Sequence, residues 1–360
     1  MSMPRVLVGL SGGVDSAVAA LLLKKEGYDV VGVTLRTWLS ESGEEGRCCE
    51  MDDARRICMR LGIAYYPLNC ADIFKESVID PFIDSYLKGE TPNPCIECNR
   101  YIKWERMLYY SNILKCDYVA TGHYASVVRF DNGRYSVKQA LHAKKDQTYM
   151  LYKLTQEQLK KTLMPLGEMT KERVREIAKE EGLPVANKPD SQEICFISDD
   201  DYAGYIEKHC FERIPEEGNF VDDKGNILGK HKGIIHYTVG QRKGLKISAQ
   251  NPLYVKYIDP VENEIVLGEE NEILYNKIEC SDTNFLSIER PSAGYEFECK
   301  VKVRYHHIPQ EAKVKITDLN NAVINFYEPV KAPAPGQSAV FYDSDDCVIG
   351  GGIIQRSDRT

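Results

Sequence analysis

"RVLVGLSGGVDSAVAALLLKKEGYDVVGVTL", from Arg5 to Leu35, decides the fold. "RVLVGL" is a continuous apolar run, as expected for a strand buried on both faces of a parallel sheet. "AVAALLLKKEGYD" reads as a helix ending near Gly27, and "VVGVTL" as a second buried strand. This β-turn-α-β order predicts an α/β fold whose N-terminal domain is a doubly wound parallel sheet, with its ligand site at the carboxyl ends of the strands. In the turn, Gly12 and Gly13 let successive N–H groups point into one concavity above a helix N-terminus, while Ser11 and Ser16 add hydroxyls. Such a concavity suits a phosphate chain. No lysine of the G-K-[ST] kind follows, so this is not the loop that holds a transferable γ-phosphate. Asp15 beside a phosphate is repulsive unless Mg²⁺ bridges them, which assigns it to Mg²⁺ binding or to capping the loop.

The chain has 360 residues, enough for two or three domains. With 43% hydrophobic and 28% charged residues it has the make-up of a folded globular protein, not of a disordered one. "MSMPRVLVGL" lacks the parts of a secretory signal, and Lys24 and Lys25 interrupt "AVAALLL" far short of a bilayer's width. The expectation is a cytoplasmic protein with no membrane partner. In a reducing compartment the twelve cysteines are thiols, ligands or catalysts before they are disulfides. Cys48, Cys49, Cys58, Cys70, Cys116, Cys210, Cys280, Cys299 and Cys347 are expected to be inert. The net charge of −8 argues against nucleic acid, but the local balance is different. Residues 229–256 carry six cations and no acid, and residues 99–161 carry twelve cations against five acids. Both stretches suit a phosphate backbone.

"TPNPCIECNR", Thr91 to Arg100, holds Cys95 and Cys98 in a C-x-x-C. A structural zinc site wants four ligands at recognisable spacing, and neither a second C-x-x-C nor an H-x₃₋₅-H is present. A thioredoxin-like pair opens a helix directly after its own strand, whereas this pair follows an extended prolyl loop and precedes the helix-like "RYIKWERMLYY". At that helix N-terminus, beside Arg100 and Lys103, the dipole and the cations favour thiolates.

"SGGVDS" after a buried strand resembles the pyrophosphate loop of the ATP pyrophosphatases. "GLSGGVDS", "TPNPCIECN", "ATGHYA", "KKDQTYML", "SQEICFI", "YTVGQRKGL" and "RYHH", in that order from residue 9 to residue 307, resemble the bacterial tRNA-specific 2-thiouridylases almost end to end. The resemblance implies replacement of the 2-oxygen of the wobble uridine by sulfur, in tRNAs for Lys, Glu and Gln, with ATP as cosubstrate. It places Gly9, Leu10, Ser11, Gly12, Gly13, Val14, Asp15 and Ser16 on the ATP phosphates. Leu35 and Gly122 line the adenine and ribose, with plain core packing as the alternative for Leu35. It makes Cys98 catalytic and Cys195 its persulfide-bearing partner, loaded by a persulfide relay protein or a cysteine desulfurase. The uridine 2-oxygen is adenylated, the persulfide attacks carbon 2, and Cys98 then attacks the bridging sulfur, leaving a transient Cys98–Cys195 disulfide. Cys95 departs from the family pattern, standing where an aspartate is usually taken as general base. An iron–sulfur cluster on Cys95, Cys98 and Cys195 is therefore the alternative sulfur carrier. By the same resemblance Lys145, Asp146, Gln147, Arg304, Tyr305 and Gln337 contact tRNA, and His123 sits beside the flipped base. Asn93, Pro94 and Cys95 line the base pocket, where Asn93 either reads the uracil edge or caps a turn. Two rivals are an ATP pyrophosphatase acting on a small metabolite and a non-catalytic RNA-binding protein with a metal site.

After "SDDDYAGYIEKHC" the pattern turns to short strands. "LYVKYIDPVENEIVLG" reads as a hairpin around residues 259–264, and "FECKVKVRY" alternates, with Val301, Val303 and Tyr305 on one face. The expected division is a catalytic domain over 1–205, a small central β-containing, tRNA-binding domain over 206–271, and a C-terminal β-barrel over 272–360.

Overall fold

The computed structural model describes residues 3–37, 51–189, 194–197 and 201–355. Cys48, Cys49 and the 191–193 portion of "SQEICFI" lie outside the described residues. The apolar run at the start forms β1 (Arg5–Gly9), whose Val6, Leu7 and Val8 are fully buried. It pairs in parallel with β2 (Asp29–Arg36) on one side and β4 (Tyr118–Ala120) on the other. β3 (Ala64–Asn69) and β7 (Thr162–Leu163) complete the sheet, in the order β3-β2-β1-β4-β7. An antiparallel hairpin, β5 (Ala125–Arg129) and β6 (Tyr135–Gln139), precedes β7 in the chain. The chain runs outward from β1 to β3, then returns to β4 on the other side of β1. The strand order thus reverses between β1 and β4, and the crevice at their carboxyl ends is where such sheets hold a ligand. Helix α1 (Val14–Lys25) covers the sheet through Ala17, Val18, Ala20, Leu21 and Leu23.

The central sheet has the order β10-β11-β8-β9, from β8 (Gly218–Val221), β9 (Ile227–His231), β10 (Tyr254–Asp259) and β11 (Glu264–Gly268). The expected hairpin is there, with Asp259 opposite Glu264. The C-terminal part closes into a six-stranded antiparallel barrel: β12 (Leu274–Phe285), β13 (Glu296–Lys302), β14 (Gln310–Ile316), β15 (Ala322–Lys331), β16 (Ser338–Tyr342) and β17 (Val348–Ile354). Cys299 and Val301 alternate inward as the pattern required. The strand stops at Lys302, short of Tyr305, because Arg304 turns away to donate to the carbonyls of Val239 (2.7 Å) and Ala332 (2.9 Å).

The barrel does not hang free. Leu286, Val340, Tyr342 and Val348 share one core with Trp104, Met107, Tyr149 and Tyr152. The barrel also clasps the cysteine loop. Thr91 N–H donates to Pro335 O (2.8 Å), and the Gln337 amide donates to Thr91 O (2.8 Å) and Pro92 O (3.4 Å). Beside it Lys153, 4% exposed, bridges Glu97 (2.6 Å) and Asp282 (2.8 Å). Removing a buried cation strands its acids, so Lys153→Met is expected to lower stability by about 2–3 kcal/mol, less than for a fully buried triad because Asp282 is half-exposed. Denaturant unfolding measures this, and a midpoint equal to that of the parent would discount the brace.

Candidate active site

The loop after β1 folds as its glycines allow. Gly12 takes φ +76°, a left-handed value open to glycine, and Gly13 is the N-cap of α1 with no side chain capping it. Ser16 Oγ donates to Gly13 O (3.2 Å) and accepts from Ser11 N–H (3.2 Å), and Ser11 Oγ accepts from Gly13 N–H (3.3 Å). The result is a concave loop above a helix N-terminus, a fit for phosphate oxygens. Asp15 caps nothing there. Its carboxylate accepts from Lys171 Nζ at 2.7 and 2.8 Å and from the Tyr124 hydroxyl at 2.8 Å. With an ammonium on both oxygens, that carboxylate does not fit a dedicated Mg²⁺ site. Lys188 Nζ lies 3.1 Å from Gly12 O and 2.8 Å from Asp53, and burial lowers its pKa.

Across the crevice, the loop after β4 presses against this one. A Cβ on Gly122 would stand 2.7 Å from both Asp15 C and Ser16 N, so the two backbones touch only because residue 122 has no side chain. Next to it His123 is buried, with Nδ1 2.8 Å from Thr121 Oγ1 and Nε2 3.3 Å from Lys103 Nζ. Burial, and then the Lys103 charge, hold the imidazole well below its ordinary pKa. It is therefore neutral, and because an ammonium can only donate, Nε2 accepts from Lys103 while Nδ1–H donates to Thr121. Leu35 is half-buried at the end of β2, packed against two cores.

Lys103 comes from the cysteine segment. Asn93 caps the short helix Pro94–Glu97, its Oδ1 accepting from Cys95 N–H (3.2 Å), with Pro94 in the first turn. Of the two readings of Asn93, capping is the one the geometry displays. "CNRYIKWER", expected as ordinary helix, is a π-helix over Cys98–Arg106 that continues as α-helix over Met107–Ile113. In a π-helix the N–H of residue i+5 bonds the carbonyl of residue i, which sets Lys103 about one turn beyond Cys98.

Cys98 and Cys195 are half-buried and pack on one apolar cluster, which includes Phe74, Phe82, Ile102, Phe196 and Ile206. Cys95 is exposed and lies on the side of Tyr305, whose phenol is pushed up to about 12 by burial and then by the charges of Asp146 and Cys95. Among the described residues no three His, Cys, Asp or Glu side chains converge to hold a metal ion, so the three cysteines in this arrangement do not fit a three-ligand cluster. Cys58, Cys70, Cys116, Cys280, Cys299 and Cys347 are buried, and Cys210 is half-buried. Burial pushes the Cys58 and Cys280 thiols up to about 12.

Several residues expected at the tRNA make internal bonds in this chain. Asp146, 4% exposed, accepts from Thr148 Oγ1 (2.7 Å) and Ala140 N–H (3.1 Å). Gln147 Oε1 accepts from Tyr124 N–H (2.9 Å). Arg304 and Gln337 brace the barrel as described. Lys145 is half-exposed, and Tyr305 stands beside His306. Lys230, Lys232, Arg242, Lys243 and Lys246 are exposed and free of ion pairs, whereas Lys256 is paired with Asp223 (2.6 Å). Sequence reasoning missed Lys171, Lys188, Thr121 and Tyr124. Tyr124 stands inside the quoted "ATGHYA", but nothing in the spacing ties Lys171 to Asp15, 156 positions away.

The phosphate-fitting loop, the switch-point crevice and the appended barrel define a nucleotide-binding α/β protein with two β-rich modules. Family models agree piece by piece: "tRNA methyl transferase HUP domain" matches residues 4–199, "tRNA methyl transferase PRC-barrel domain" residues 204–269, and "Aminomethyltransferase beta-barrel domain" residues 275–354. The chain belongs to the family of the tRNA-specific 2-thiouridylases. It is 51% identical over 359 residues to tRNA-specific 2-thiouridylase MnmA of Clostridioides difficile (strain 630), covering 98% of each chain. It is 52% identical over 365 residues to the Acetivibrio thermocellus protein of the same name, covering 99% of this chain and 100% of that one. Among solved structures, the U34-tRNA thiolase NcsA from Methanococcus maripaludis with its 4Fe-4S cluster matches 58% of this chain and 68% of its own, at 22% identity and a TM-score of 0.36. No helix among the described residues is long and apolar enough to cross a membrane.

Proposed function

We propose that this chain is a tRNA-uridine 2-sulfurtransferase that adenylates the 2-oxygen of the wobble uridine, in tRNAs for Lys, Glu and Gln, and replaces it with sulfur from a persulfide on Cys195. The observation that carries the reading is a chain of contacts: the Ser16 backbone against Gly122, then His123, then Lys103, one π-turn from Cys98. Nucleotide and sulfur chemistry meet along that chain. Loop N–H groups and the α1 N-terminus hold the ATP phosphates. The uridine 2-oxygen attacks the α-phosphorus, and pyrophosphate leaves. The terminal persulfide sulfur forms the bond to carbon 2 as the carbon–oxygen bond breaks and AMP departs. Cys98 then attacks the Cys195 sulfur, which releases 2-thiouridine and leaves a Cys98–Cys195 disulfide for reduction.

Extracting the base from the anticodon stack costs about a few kcal/mol. The exposed cations of residues 230–246 favour the phosphate contacts that offset it. The persulfide comes from a relay protein or a cysteine desulfurase, in the cytoplasm, and the working domain boundaries are residues 205 and 272. The test is incubation of the full chain with ATP, unmodified tRNA and a persulfide donor. AMP, pyrophosphate and 2-thiouridine in equal amounts are expected, and pyrophosphate release without tRNA, or tRNA binding without ATP consumption, overturns the reading. Cys95→Ala separates the sulfur carriers. With a persulfide the variant keeps activity within about threefold, since Cys95 is exposed whereas Cys98 and Cys195 both pack on one apolar cluster. If a cluster carries the sulfur, Cys95→Ala loses both thiolation and the visible absorbance of anaerobically purified protein.

A further inference from the structure

The lysines around the crevice differ in one respect. Lys171 rests on Asp15, Lys188 on Asp53, and Lys153 on Glu97 and Asp282. Lys103 is half-buried, and among the described residues it has no carboxylate partner; its ammonium points at a neutral imidazole. A partly desolvated cation without a counter-charge is costly to hold, and an arriving anion removes that cost. Its position says which anion. His123 follows Gly122, which lies on the Asp15–Ser16 backbone, and Cys98 lies one π-turn before Lys103. The vacant charge therefore faces the space between the nucleotide loop and the sulfur-bearing helix.

We infer that Lys103 and His123 form the seat of the α-phosphate, the phosphate that passes from ATP to the uridine oxygen and leaves as AMP. Lys103 is a catalytic residue that donates to a non-bridging phosphate oxygen, and His123 is the positioning residue that aims it. The inference rests on the adenylating reading above. As the sulfur–carbon bond forms and the carbon–oxygen bond breaks, the electron pair of the broken bond moves onto the departing phosphate, where the ammonium stabilises it. The loop has no lysine of its own, so this charge comes from the helix that carries Cys98. One helix then carries both the cation that meets the departing phosphate and the thiol that afterwards cleaves the sulfur–sulfur bond.

Calorimetric titration of the full chain with adenosine and with AMP tests this, since the two ligands differ by that phosphate. Lys103→Met is expected to lose about tenfold or more in AMP affinity and nothing for adenosine. Lys103→Arg, which keeps the charge, holds AMP within about threefold of wild type. With ATP saturating and tRNA varied, Lys103→Met lowers kcat about a hundredfold and leaves KM for tRNA unchanged. AMP affinity equal to wild type in Lys103→Met overturns the seat, and so does an equal loss for adenosine, which marks a structural role. A wild-type protein that binds neither ligand overturns the adenylating reading itself, and the seat with it.

Discussion

Cys98→Ser protein is expected to lose tRNA thiolation by roughly four orders of magnitude or more, yet to go on releasing pyrophosphate when given ATP and tRNA. In the proposed order adenylation comes before sulfur transfer and draws on the loop after β1 and the α1 N-terminus, neither of which contains the thiol. The block falls at the last step. With no Cys98 thiolate to cleave the sulfur–sulfur bond, tRNA stays joined to Cys195 as a mixed disulfide that a reductant releases. Cys195→Ser is equally inactive but forms no such adduct, because no persulfide can be loaded. Denaturing electrophoresis with labelled tRNA, with and without reductant, distinguishes the two. Substantial thiolation by either variant, or an adduct in Cys195→Ser, removes the assigned roles.

Gly122→Ala is expected to weaken ATP binding about a hundredfold while the protein still folds. The added methyl would stand 2.7 Å from Asp15 C and Ser16 N, and both are backbone atoms at the first turn of a helix buried in the core. No flexible side chain can yield, so the two loops move apart at a cost of about 1–3 kcal/mol. That displacement falls on the seam between β1 and β4, the proposed nucleotide site. Isothermal titration with ATP beside a thermal melt separates the effects. Undiminished affinity in a folded variant would mean that the crevice is not the nucleotide site.

The fold was legible wherever periodicity was strong. The run from Arg5 to Leu35 forms the strand, loop, helix and strand that it spells, and the hairpin at 259–264 and the closed barrel follow from alternation and turn residues. What stayed hidden was whatever depends on contact between distant positions. "RYIKWERMLYY" announces a helix, but one-dimensional pattern does not distinguish i+4 from i+5 bonding, and that difference sets where Lys103 falls relative to Cys98. Gln337 and Arg304 carry the polar chemistry expected of RNA contacts, and their reach to Thr91 O and Val239 O comes from tertiary packing. Asp15 reads as a metal ligand beside a phosphate loop until Lys171 is seen to arrive from another helix.

The Pro335–Gln337 clasp on Thr91 and Pro92 also bears on how the molecule is made. The two sides of the clasp stand 246 positions apart, so the segment that steadies this loop leaves the ribosome long after the loop itself. A chain still under synthesis can shape the loop after β1 early, but the Thr91–Pro92 strut stays unlatched until residues 335–337 have been made.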